Sequence, residues 1–151
     1  MNAKLLISAA ALTLWTLPAM ADEATEADNL HLVTTAYQAL FGDHDMTALE
    51  TYYREDYIQH NPMAPTGRDG LKTFLTDLGI DKAPKSTLTF LRTGADGDLV
   101  WLYSLANFGQ GDTAVIDIFR VQDGMIAEHW DVMQAAPATT ASGNSFSGDL
   151  K

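Results

Sequence analysis

The chain has 151 residues, no cysteine, and nine basic residues against twenty acidic ones, for a net charge of −11. That length suits one domain with one proper core, and the missing cysteine excludes disulfides, thiolate catalysis and sulfur-bound metal. The acid excess repels nucleic acid and anionic membrane, so neither is expected as a partner.

Residues 1–21 carry Lys4, the apolar run "LLISAAALTLW" and the small-x-small "AMA" at 19–21, the pattern of a secretory signal peptide. The run is too short and poorly flanked for a spanning helix. An exported protein, periplasmic or secreted, is expected, with a mature chain from Asp22 and no membrane contact after cleavage. Losing Lys4 leaves eight basic residues against twenty acidic ones, a net charge of −12.

Residues 22–29 open with "DEATEAD" and read as a flexible acidic lead-in. From Asn29, the residues Leu30, Val33, Tyr37, Leu40 and Phe41 recur at helical spacing until Gly42. Met46, Leu49, Tyr52 and Tyr53 predict a second, shorter helix capped by Asp45 or Thr47. "DYIQHNPMAPTG" then reads as a loop, its two prolines and Gly67 stopping any helix. A third helix carries Leu71, Phe74, Leu75 and Leu78, with Thr66 and Asp69 spaced as a capping box.

After Pro84 the pattern changes to strands over 86–93, 98–108, 113–122 and 125–134, separated by "GADG", "GQGD" and "DG". Helices followed by a meander predict an α+β fold: an antiparallel sheet of four strands or more, covered on one face by three helices. The domain should span 30–134. The tail, 135–151, is small and polar with little structure of its own, although Phe146 could dock on the domain or on a partner.

The last two strands, "VIDIFRVQDGMIAEHWDVM", join through Asp123-Gly124, a strong hairpin signal. A two-residue turn pairs Val121 with Ile126, Phe119 with Glu128, Asp117 with Trp130 and Val115 with Val132. One face then holds six apolar residues and two acids, Asp117 and Glu128. A three-residue turn with a bulge at Gly124 shifts the register and sets Asp117 opposite His129. The first register gathers the apolar residues better, and Asp117 stays beside Val115, Phe119 and Val121 in both.

On the preceding strand Leu99, Trp101, Tyr103, Leu105 and Asn107 share a side. If that side joins the face of Asp117, a phenol and an indole lie near the carboxylate. A curved sheet closed by helices could then enclose a pocket with an apolar wall, as small-molecule sites often have. Burial among apolar groups raises a carboxyl pKa, and a second acid raises it further, so Asp117 could take and return a proton. The histidines at 31, 44, 60 and 129 show no metal-ligand spacing, and no nucleotide or serine-hydrolase motif occurs, so no metal and no cofactor are expected.

"YIQHNP", "GRDGLKTFL" and "VIDIFRVQDGMIAEHWDVMQ" together resemble the SnoaL-like polyketide cyclase family, within the nuclear transport factor 2-like superfamily. The resemblance runs from about Leu30 to Gln134, and its last stretch is similar to a subgroup labelled as aldol-condensation enzymes. It implies a cone of curved antiparallel sheet plugged by helices around an internal cavity, with homodimers formed through the sheet. It also implies that Asp117 is a general acid/base, that Tyr103 stands where a helper histidine is usual, and that His60 lies at the cavity mouth.

The expected site therefore has Asp117, Tyr103 and His60 as catalytic residues, with Trp101, Phe119, Glu128, His129 and Trp130 as binding residues. Two functions fit it. One is a cofactor-independent isomerase, aldol-type cyclase or dehydratase acting on a small, apolar carbonyl compound. The other is a small-molecule-binding domain without chemistry, using the same cavity. A third class, a protein-interaction domain using Ile118 and Arg120 on the outer sheet face, would depend on that face rather than on the cavity.

Overall fold

The computed structural model describes residues 23–107 and 111–148, so the expected signal peptide lies outside the described residues. Helix α1 (Glu23–Tyr37) runs into a π turn (Gln38–Gly42), and is followed by α2 (Ala48–Tyr52) and strand β1 (Tyr53–Gln59). After α3 (Arg68–Asp77) and a 3₁₀ turn (Ile80–Lys82) come β2 (Phe90–Asp96), β3 (Leu99–Asn107), β4 (Asp112–Gln122) and β5 (Met125–Ala135). Among the described residues, no helix is long and apolar enough to cross a membrane.

The fold is α+β, as the sequence pattern requires, with a five-stranded sheet in the order β1-β5-β4-β3-β2. β2 to β5 form the expected antiparallel meander, while β1 joins β5 in parallel at the edge and makes the sheet mixed. This extra strand corrects two expectations. The second helix stops at Tyr52, and the segment read as a loop begins with a strand. Tyr53 and Tyr57 are four apart and both buried, which imitates a helical stripe. Positions four apart share a face in a strand as well as in a helix; β1 also bulges, since Tyr53 pairs with Ile126 and Ile58 with Glu128, leaving surplus residues between.

Two end signals also play out differently. The lead-in is helical from Glu23, and its side chains are tied to the β2–β3 turn. Gly97 N–H donates to Glu26 Oε1 at 2.9 Å, and Asn29 Nδ2 donates to Gly97 O at 3.0 Å. The capping box does not form. Gly67 takes the cap position of α3, while the Thr66 hydroxyl donates to Tyr57 O at 3.1 Å and accepts from Gln59 N–H at 3.3 Å. Thr66 therefore fastens β1 instead of the helix.

The core lies between the helices and one sheet face, with Val33, Leu40, Leu49, Val100, Leu102 and Ile126 fully enclosed. Phe119 is also buried there, and truncating a ring of that kind costs about 3–5 kcal/mol. The opposite face leaves Ile58, Trp101, Leu105, Ile116 and Val132 exposed.

Candidate active site

The β4–β5 hairpin decides the site. Asp123 and Gly124 both have positive φ, 53° and 72°, the two-residue turn that Asp-Gly favours. Gln122 pairs with Met125 and Val121 with Ile126, as the first register requires. Then a bulge intervenes. Arg120 pairs with Glu128, so Ala127 is the surplus residue, and beyond it Phe119 faces His129, Ile118 faces Trp130 and Asp117 faces Asp131. Both sequence registers fail from this point.

A shift of one residue exchanges the faces of a strand. Here it sends His129 and Asp131 inward and turns Glu128 and Trp130 outward. The phase of β3 also differs from expectation. Leu102 is opposite Asp117, with Val100 and Ser104 buried on the same side, so Trp101 and Tyr103 lie on the outer face. Tyr103, opposite Ile116, cannot act on Asp117.

Asp117 is 3% exposed, and each of its oxygens has a partner. The Tyr37 hydroxyl donates to Oδ2 at 3.1 Å, and His129 Nε2 lies 3.0 Å from Oδ1. Tyr37 supplies the phenol that Tyr103 was expected to give, from the last turn of α1 directly before the π turn. Burial first, and then the charge of Asp117 and the hydrogen bond to it, hold the Tyr37 phenol well above its ordinary pKa. Tyr37 is therefore a hydrogen-bond donor and not a base. Burial likewise pushes up Tyr53 and Tyr57, with the charge of Asp117 adding to both.

The other side of His129 is equally fixed. Its ring stacks on Phe119 with centroids 4.6 Å apart, and Nδ1 lies 2.9 Å from Gln59 Oε1. Gln59 Nε2 donates to the Tyr57 hydroxyl at 2.9 Å. Asp131 is half-buried and accepts from Asn61 Nδ2 at 2.6 Å. Asp117, His129 and Asp131 each bring one potential ligand atom within 4.8 Å of the others, the nearest approach to a metal-ligand set among the described residues. Spacing along the chain does not reveal this set, because sheet pairing assembles it. Its members already bond to each other or to Asn61, which suits a shared proton.

A second network sits on the outer face. Glu128 lies 2.6 Å from His60 Nε2 and pairs with Arg120, and the His60 ring stacks on Trp130 at 4.8 Å and 2°. So His60, Glu128 and Trp130 form one group, Asp117, Phe119 and His129 another, and Trp101 and Tyr103 stand apart. Gln59, Asn61, Asp131 and Tyr37 were missed by sequence reasoning. The first two flank His60 inside the "QHN" stretch, where alternation marks them as inward-facing when His60 faces outward.

Hollows of about 570 Å³ and about 310 Å³ open elsewhere. The larger is lined by Arg54, Glu55, Asp56 and Met125. Tyr103, Ile116, Val132 and Phe146 contribute to the smaller, which places Phe146 on the outer sheet face. Asp117 is not among the lining residues of either of these two hollows.

The fold is thus an α+β sheet with helices over one face and a buried acid, Asp117, on its penultimate strand β4. The SnoaL-like domain profile matches residues 33–129, and the chain belongs to that family. No curated protein matches the chain in sequence. Among solved structures it is similar to a candidate ketosteroid isomerase from Kribbella flavida, with 18% identity, 76% of this chain and 84% of that one covered, and a TM-score of 0.60. A candidate polyketide cyclase from Acidithiobacillus ferrooxidans gives 15% identity, 71% and 88% coverage and a TM-score of 0.59. An epoxide hydrolase of M. tuberculosis gives 19%, 72% and 84%, and 0.57. At these identities the likeness establishes a shared fold.

Proposed function

We propose that the protein is an acid/base enzyme of the SnoaL-like type, working with side chains alone on a small, apolar carbonyl compound. One observation carries the reading: a buried Asp117 held between a phenol donor at 3.1 Å and an imidazole at 3.0 Å. Asp117 would remove or return the proton next to the carbonyl, with His129 as its proton partner. Substrate would approach over the half-buried rim of Asp131 and Asn61. Isomerisation, aldol-type cyclisation and dehydration all begin with that proton transfer, and isomerase and cyclase activities are the ones given for two structural neighbours.

The test is exchange of α-protons from a panel of small enolisable ketones in D₂O, comparing the parent with Asp117→Asn. Asparagine can still accept from Tyr37 and donate to His129 Nε2, so the fold should survive. Exchange should fall by about a hundredfold or more. Equal rates in the two proteins would remove the mechanism.

A second reading, a binding domain without chemistry, is favoured by the partner that each Asp117 oxygen already has within the fold. It expects ligand affinity to be unchanged in Asp117→Asn and no exchange in the parent. Under either reading we propose export, supported by the leader-like first 21 residues, and a homodimer formed through the apolar outer sheet face.

A further inference from the structure

The Gln59 amide is oriented by a group that can only donate. Asn61 N–H lies 2.9 Å from Oε1, while Nε2 meets the Tyr57 hydroxyl at 2.9 Å. Flipping the amide would set its NH₂ against a backbone N–H, two donors face to face, so the oxygen must stay where it is. His129 Nδ1, 2.9 Å from that oxygen, therefore faces a pure acceptor and must carry a proton. A neutral imidazole carries only one. Its Nε2 is then a bare lone pair, directed at Asp117 Oδ1 from 3.0 Å.

An aspartate beside a histidine normally draws the ring proton to the nitrogen facing it. Here Gln59 competes for that proton from the opposite side. We propose that Gln59 is a positioning residue that holds neutral His129 in its Nδ1–H form, so that Nε2 accepts the proton Asp117 takes up. The contact between Oδ1 and Nε2 is a hydrogen bond only when one proton lies on it, supplied by a protonated Asp117 or by a doubly protonated ring. Asp117 and His129 thus store a proton as a pair. A proton arriving on Asp117 settles on that line, and the same proton returns from it to the substrate.

The effect on catalysis rests on the acid/base reading of Asp117, but the ring tautomer does not, and the two can fail separately. The experiment is ¹⁵N–¹H NMR of the histidine-labelled full chain, taken to alkaline pH until the His129 ring is neutral. The parent should show a pyrrole-type Nδ1 and a pyridine-type Nε2. In Gln59→Leu, Asp117 is the acceptor left within hydrogen-bond distance of the ring among the described residues, and the two resonance types should change places. Gln59→Glu keeps an acceptor toward Nδ1 and should restore the parent pattern.

A parent ring protonated on Nε2, or a Gln59→Leu ring that keeps Nδ1–H, would overturn the proposal. In ketone α-proton exchange, Gln59→Leu should be slower by about tenfold or more, with recovery in Gln59→Glu. A tautomer that switches while exchange stays constant upholds the hold of Gln59 on the ring and removes His129 as the proton partner of Asp117, whose own role is decided by Asp117→Asn.

Discussion

Two carboxylate networks share strand β5 and face opposite ways. Inside, the Asp117 side chain is 4% exposed and meets His129 at 10% exposure. Outside, the Glu128 side chain is 10% exposed, but its partners His60 and Arg120 are 42% and 36% exposed. The inner acid depends on partners that fit one geometry and sit away from water. The outer acid depends on more exposed partners that water screens and that can partly replace each other. Adjacent residues of one strand, Glu128 and His129, therefore carry very different energetic weight.

The contrast can be pressed hardest with alkali, because Tyr37, Tyr53 and Tyr57 all lie on the inner side with raised pKa values. The unfolded chain releases these protons at about pH 10 while the folded chain keeps them. Their contribution is complete below about pH 10 and is lost as pH rises through the folded values, at roughly 4 kcal/mol per pH unit for three phenols. Urea midpoints between neutral pH and pH 11.5 should fall steeply, with the phenolate absorbance of these three appearing only on unfolding.

At neutral pH the sharpest contrast is between two histidines. His129→Ala removes a buried ring packed on Phe119 together with its contacts to Asp117 and Gln59 and should cost about 3–5 kcal/mol, whereas His60→Ala leaves Glu128 its arginine and should cost about 1 kcal/mol or less. Equal losses in urea unfolding would break the comparison. Tyr37→Phe removes one donor to Asp117 and should cost about 1.5–3 kcal/mol by the same measure.

A similarly small effect belongs to the outer face, where Trp101 lies across Gly94. A Cβ built on Gly94 would come within 2.6 Å of the indole, so Gly94→Ala must push the ring aside. Since Trp101 is 38% exposed, the ring can swing outward, for about 1 kcal/mol and a red-shifted tryptophan emission. An unshifted spectrum would show the indole already free of Gly94.

The inward placement of Asp117 was legible because it needs β4 alone: alternation sets it beside Val115, Phe119 and Val121 in any pairing. Helix content, the meander and the Asp123-Gly124 turn were also local properties. What the sequence hid were relations between strands. The aromatic side of β3 looked like core, yet Trp101 and Tyr103 face outward, because alternation alone does not say which side meets the helices. Tyr37 sat unremarked in an apolar stripe, and Gln59 lay in a segment read as a loop. Both reach Asp117 or His129 only through tertiary packing.

The surplus Ala127 also separates two design problems along the hairpin. Residues between it and the tip can be exchanged one for one without rotating the working groups, since the count along the strand is kept. Deleting Ala127 to make a more regular ladder would do the reverse: it would bring Glu128 and Trp130 to the helices and expel His129 and Asp131 into water. Loop grafting belongs at the tip, and the irregular residue should be left in place.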